Sequence, residues 1–365
     1  YGAKKEDELK SALVFSFFFI AALTLAITVG VLLFIDPIIG LLQIPFQIRE
    51  MTQVYLRIIF YGMIFTFFYN YFASVLRAFG NSLTPLIFLG ISAILNIALD
   101  LGFVLVLHMG VAGAAWATVL SQLLSAVFCI LAGWKKFPVM RVRPADLKDF
   151  VHQARIHLNT GFPMGFQMSV MCIGQLAMQA VVNGLGTAAV AGYTAASKAD
   201  QLSVLVNNAM MTAISNYVAQ NFGAGRKDRI RQGVRACLIQ TEAFNLVMCI
   251  GILLLRHPIV QMFLSDPTAE IYHYSDTYLT IVAPFYFLLG LLAVYRTAIQ
   301  SMQNGRAPFA ACMIELVMRI FATIGLSGLI GYTSVCIASP LAWFGACALL
   351  IPVYYRMMKT PLLFQ

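Results

Sequence analysis

Asp100 closes the segment Asn96-Ile97-Ala98-Leu99-Asp100. It lies between two intervals, residues 78–99 and 101–134, that hold no other Asp, Glu, Lys or Arg. A carboxylate in hydrocarbon costs about 3 kcal/mol or more, so a membrane acid marks function by default. Asn96 is four residues earlier and shares its helix face. The turn signal His108-Met109-Gly110 follows, and Thr118 stands as far beyond Met109 as Asp100 stands before it. An antiparallel hairpin then predicts Asp100 and Thr118 at similar depth. A carboxylate, an amide oxygen and a hydroxyl together suit a hard cation such as Na⁺. Burial also favours the protonated form of a carboxylate, so the same group suits proton carriage. The competing reading is an acid satisfied by local hydrogen bonds, and the cost of membrane burial weighs against it.

Other candidates are weaker. Glu315 and Arg319 are spaced i, i+4, which predicts a mutual ion pair that locks one helix. Lys198 and Asp200 interrupt an apolar stretch but are two apart, so each requires another partner. Glu242 is expected near a helix end. Met164, Met168, Met171, Gln175 and Met178 form a stripe at helical spacing, with Gln167 and Gln179 beside it. Adaptable methionines suit a cavity for varied apolar ligands, and Gln167, Met171 and Gln175 are its candidate lining. Helix packing accounts for the same stripe and is the favoured reading. Pro163 and Pro284 mark expected bends.

Several chemistries lack their residues. There is no G-x-x-x-x-G-K-[ST] phosphate loop, and no Ser/His/Asp or paired-carboxylate arrangement. The seven cysteines include no C-x-x-C pair, and the five histidines do not cluster. No enzyme activity and no resident cofactor is expected.

The elements that must position these groups follow from composition. The 365 residues are 60% hydrophobic and 11% charged, with net charge +9, and mean hydropathy is +0.82. A soluble domain carries about 25% charged residues. So little polar surface excludes a water-facing globule and implies an integral membrane protein. Long uncharged runs predict ten helices near 11–35, 52–78, 84–107, 111–134, 157–183, 187–221, 230–256, 276–302, 308–330 and 335–357. They are continuous rather than alternating, which excludes a barrel. The fold class is an all-α polytopic bundle.

Basic residues sort by side. Eighteen, including Lys4, Lys5, Arg77, Lys135, Arg141, Arg226, Arg306 and Arg356, fall in one set of loops, against Arg49 and Arg256 in the other. The positive-inside rule then places both chain ends in the cytoplasm of a plasma membrane. Anionic lipid and cytoplasmic loops account for the charge, so no nucleic-acid partner is implied.

Two halves repeat at an offset near 223. Tyr55-Leu56-Arg57-Ile58 returns as Tyr278-Leu279-Thr280-Ile281, and Asn81 with Pro85 return as Asn304 with Pro308. A parallel duplication of two bundles follows. Residues 1–134 form a four-helix lobe, 135–156 a cytoplasmic connector and 157–365 a six-helix lobe. The helices at 157–222 have no counterpart before Tyr1, so a complete parent is expected to carry about 65 more residues, or two spans. The position of Asp100 becomes Thr323 and that of Asn96 becomes Arg319, so the second lobe lacks an equivalent acid.

The segments Ser74-Val75-Leu76-Arg77-Ala78-Phe79-Gly80-Asn81, Asn96 to Asp100, Gly110 to Thr118, Gly161-Phe162-Pro163 and Gln220 to Gly225 resemble the multidrug and toxic compound extrusion (MATE) family. The likeness is strongest to its DinF-like branch. The resemblance implies a monomeric bacterial inner-membrane antiporter with two six-helix lobes. It would export small organic molecules or cations, often hydrophobic, against inward H⁺ or Na⁺. It implies a cation site at Asn96, Asp100 and Thr118, with Tyr55 and Asn70 lining the same pocket. The family's first-span aspartate has no match within the chain. Gln167 stands where a NorM-like membrane glutamate would be expected. The alternatives are a related lipid-linked oligosaccharide flippase, which needs a wide cationic groove, and a membrane enzyme acting on lipids, which needs clustered acids and histidines.

Overall fold

A computed structural model describes residues 1–41, 46–264 and 267–360. Their regular elements are all helices, and they divide into two compact units, Ala3–Arg155 and Ile156–Gln365.

The first unit contains α1 (Glu6–Leu33), α2 (Ile35–Leu41), α3 (Phe46–Tyr61), α4 (Met63–Ala78), α5 (Leu83–Asp100) and α6 (Gly110–Lys136). Glu6, Asp7 and Glu8 in the first turn of α1 complement the positive end of its dipole. Helices α4 and α5 both pack along α6. The contact is close because α6 buries the small residues Ala117, Ser121 and Ser125 at i, i+4 and i+8. Ser92 Oγ donates to the Ser121 carbonyl at 2.8 Å, and Ser125 Oγ to the Phe88 carbonyl at 3.1 Å. The core joins Tyr69, Ala73 and Leu76 of α4 to Ala126 and Cys129 of α6.

The second unit contains most of α7 (Phe150–Gly184), then α8 (Thr187–Gly223), α9 (Lys227–Phe263), α10 (Ala269–Val282), α11 (Tyr286–Ser301), α12 (Arg306–Ile320), α13 (Ser327–Ile330) and α14 (Thr333–Lys359). Its larger core is built on Tyr278, Leu279, Tyr286, Ile299 and Leu350. Helix α8 packs on α9, α10 and α11, and α12 packs on α14.

Among the described residues eight helices are long and apolar enough to cross a membrane, and α3 with α4, bent by 44°, makes a ninth. The tenth expected span is α8, a helix of 37 residues. It fails on apolarity because Lys198, Asp200, Ser203, Asn207, Asn208 and Asn216 interrupt it. Two of its polar groups, Ser203 and Asn207, are buried within the unit, whereas Lys198 and Asn208 are exposed.

The duplication is visible in the breaks. The span of α3 and α4 is broken at Gly62, and that of α10 and α11 by a 3₁₀ turn at Ala283–Phe285, the position 223 residues later. Pro284 lies in that turn, as expected, whereas Pro163 leaves α7 continuous. A Cβ at Gly62 would strike the Val119 side chain, so glycine lets the bend lean on α6. Both α5 and α12 run into a π-helical turn, Leu101–Val106 and Phe321–Gly325.

Candidate functional site

Asn96 and Asp100 occupy the last two turns of α5, each half-buried. Asp100 Oδ1 and Asn96 Nδ2 are buried atoms without a hydrogen-bond partner, as is Gln122 Oε1 on α6. Orphaned buried polar atoms are rare in folded proteins and each calls for an explanation. Neither amide atom of Asn96 is in a hydrogen bond among the described residues. A half-turn of the amide would therefore present its oxygen at no cost in bonding. No ion pair reaches Asp100 within the described residues.

The hairpin register differs from the sequence expectation. Ser92 faces Ser121 and Phe88 faces Ser125, which sets Thr118 level with Leu95, next to Asn96. Asp100 lies more than one helical turn, roughly 7 Å, further along. The cause is the π-helical turn immediately after Asp100, which keeps the chain helical to Val106 and moves the hairpin tip. Such turns gather at functional sites. Thr118 Oγ1 donates to the Ala114 carbonyl at 3.1 Å and keeps its lone pairs for another partner. Gln122, one turn from Thr118 on α6, was missed in the sequence. Its i, i+4 spacing from Thr118 is the signal that could have found it.

Tyr55 and Asn70 are exposed and make no side-chain hydrogen bond among the described residues. Of the methionine stripe, Met164 and Met168 are exposed, Met171 is half-buried and only Met178 is in the core. Packing accounts for Met178 alone. Gln175 is exposed. Gln167 is buried inside the second unit, where its Oε1 accepts from Gln300 Nε2 at 3.1 Å.

The second unit carries two polar clusters. Glu315 pairs with Arg296 of α11, which corrects the expected pairing with Arg319 on its own helix. Arg319 points instead towards α7, its Nη1 within 3.2 Å of where a Cβ on Gly174 would stand. A neighbouring helix offered Glu315 a cation on its buried side. Asp200 lies near Arg319 and the hydroxyls of Tyr278 and Tyr286. Lys198 is exposed. Asn207 Nδ2 donates to Asn245 Oδ1 at 3.0 Å, and Asn245 Nδ2 to the Tyr286 carbonyl at 3.1 Å, which ties α8, α9 and α11 together. Glu242 stands mid-helix in α9, not at its end, against Gly290 of α11. A Cβ at Gly290 would strike both Glu242 and Asn245.

Known proteins match this chain over most of its length. It is 29% identical to the probable multidrug resistance protein YpnP of Bacillus subtilis, over 97% of this chain and 79% of that protein. It is also 29% identical to the probable multidrug resistance protein YoeA of Bacillus subtilis, over 80% of this chain and 64% of that one. The chain thus spans about four fifths of the first relative and under two thirds of the second. The fold is that of a crystallised mutant of the Vibrio cholerae MATE transporter VcmN, with TM-score 0.92 and 18% identity, covering 100% of this chain and 83% of the other. The MatE family model matches residues 1–101 and 163–324. On a match of that extent the chain belongs to the MatE family of multi-pass membrane transporters.

Proposed function

We propose that the protein exports small organic molecules, many of them hydrophobic or cationic, by alternating access coupled to inward H⁺ or Na⁺. The observation that carries this reading is the unpartnered Asp100 Oδ1 with Asn96 Nδ2 beside it on one helix face. A buried carboxylate left open in this way gains a proton or a cation at little cost to the fold. Na⁺ would draw oxygens from Asp100 and Asn96, with Thr118 of α6 beside the level of Asn96. A proton would need only the carboxylate and an acceptor for its hydrogen bond. The names of the curated relatives, probable multidrug resistance proteins, support the substrate class.

Coupling requires that cation and drug bind the two conformations, or each other's complexes, unequally. In this reading the cation occupies the Asp100 region from outside and disfavours the drug-bound state. Its loss inside restores drug affinity. The flippase alternative is disfavoured by the second unit's cations. Arg296 is engaged by Glu315 and is not free for a pyrophosphate.

The test is uptake of a fluorescent organic cation into inverted vesicles carrying the full-length protein, which is the direction of cellular efflux, under separate H⁺ and Na⁺ gradients. One gradient is expected to drive transport, and Asp100→Asn is expected to abolish it while the protein stays folded. Near-normal driven efflux in the variant would overturn the site assignment.

A further inference from the structure

The first unit holds a cavity of about 510 Å³ where α1, α4 and the end of α6 meet the segment that follows α6. Its wall is aromatic and aliphatic, with Phe17 of α1, Phe72 and Val75 of α4 and Trp134 of α6. Arg141 and Arg143 stand at its rim. The volume lies in the lower half of the range of small-molecule sites, about 300–1,000 Å³. It fits part of an acyl chain with its attached glycerol, and it does not fit a second protein. The groove is open to the outside of the unit, because Trp134 is 46% exposed. The corresponding surface of the second unit is closed, since Met357, 223 residues after Trp134, is 7% exposed.

The two arginines differ in freedom. Arg141 Nε and Nη2 donate to the Trp134 carbonyl at 3.3 and 3.1 Å, capping α6 and fixing this guanidinium over the mouth. The guanidinium of Arg143 is exposed and makes no hydrogen bond among the described residues; its backbone N–H donates to Asp146 Oδ2 at 2.7 Å. One cation is thus preset and one is left to close on a ligand. A tryptophan at a helix end beside arginines is the chemistry of the membrane–water boundary. Basic pockets between helices on the cytoplasmic side take anionic lipid headgroups.

We propose that this groove is a binding site for one anionic phospholipid. An acyl chain lies against Phe17, Phe72 and Val75, and the phosphate rests on Arg141 and Arg143. The proposal rests on the side assignment that the basic loops imply, and it is independent of the transported substrate and the coupling ion. Failure of the efflux experiment would therefore leave it standing.

Native mass spectrometry of the delipidated full-length protein tests it. The probes are phosphatidylglycerol, phosphatidylcholine with the same chains, and glycerol 3-phosphate. One retained equivalent of phosphatidylglycerol is expected, favoured over phosphatidylcholine by about fivefold for each arginine engaged. Arg143→Gln, a change at an exposed residue, is expected to lower retention about fivefold, and Arg143→Lys to restore part of it. Val142→Trp, which fills the groove from its rim, is expected to reduce retention of both lipids. Equal retention of the two lipids, or an unchanged Arg143→Gln variant, would overturn the headgroup assignment. Binding of glycerol 3-phosphate as tight as that of phosphatidylglycerol would show a free-phosphate site and overturn the lipid.

Discussion

The ends of α5 and α12 are built to one plan and carry opposite chemistry. Each helix runs into a π-helical turn. In the first unit Asp100 precedes that turn with an unpartnered carboxylate oxygen. In the second the charge just before the turn is Arg319, and the nearby acid, Asp200, comes from α8, close to two tyrosines but with its Oδ1 likewise without a hydrogen-bond partner. The second unit also neutralises Glu315 with Arg296, side chains 6% and 9% exposed. A carboxylate answered by a fixed cation is structural, whereas one left without a cation is free to exchange a ligand. Glu315 is answered in this way, and Asp100 is not.

The largest effects separate the two acids. Asp100→Asn is expected to reduce gradient-driven efflux to the background of empty vesicles with the folded state intact. Asp200→Asn is expected to keep driven efflux and to lower stability by about 1–3 kcal/mol, because Arg319 loses its neighbouring charge. Thermal unfolding beside vesicle efflux measures both, and loss of driven efflux from a folded Asp200→Asn protein would erase the distinction.

Next in size is the buried pair. Glu315→Gln leaves Arg296 uncompensated and is expected to destabilise by about 3–5 kcal/mol. Replacing both residues with methionine is expected to recover most of that loss. Denaturation in detergent measures the two variants, and equal loss in both would show that the pair is not the cause.

A smaller effect probes the open acid's surroundings. Gln122→Leu removes an oxygen that has no partner in the fold. Stability is expected to hold or rise slightly and cation affinity to stay unchanged, because the α5–α6 register sets Gln122 about two turns from Asp100. Calorimetric titration with the coupling ion measures this, and a loss of affinity of about tenfold would move the cation towards Gln122.

The smallest effect belongs to an exposed pair of the first unit, Lys148 Nζ to Asp7 Oδ2 at 2.8 Å. The hydrogen bond that Lys148 donates to Asp7 raises the Lys148 pKa above its ordinary value of 10.5. A raised folded-state value makes the stabilisation fully present below 10.5, and it is lost as pH rises through the shifted value. Lys148→Met is expected to change the melting temperature only slightly. The change should vanish near 1 M salt, where the screening length is about 3 Å. A large, salt-independent shift would show that exposed pairs here act like the buried one.

Much of this was legible in the residues. Uncharged runs and turn signals mark the helices, because hydrocarbon demands about 20 apolar residues and an internally bonded backbone. Asp100 and Asn96 stand out by cost and spacing. The depth of Thr118 was misread by about a turn, since a π-helical turn leaves no periodic signal. Glu315 was assigned to Arg319 because i, i+4 spacing records a shared face and is silent about a neighbouring helix. Gln122 escaped notice because a glutamine in an apolar helix carries no charge to mark its cost.

The sequence by itself determined that the chain is a helical membrane protein, duplicated, with an acid placed where hydrocarbon penalises it. Those properties depend on composition and local spacing. Only the tertiary structure decided which cation answers which acid, which face of the methionine stripe enters the core, and which polar atoms remain without a partner. Partnership between side chains on different helices depends on register and rotation, and a few ångströms of either reassigns every contact.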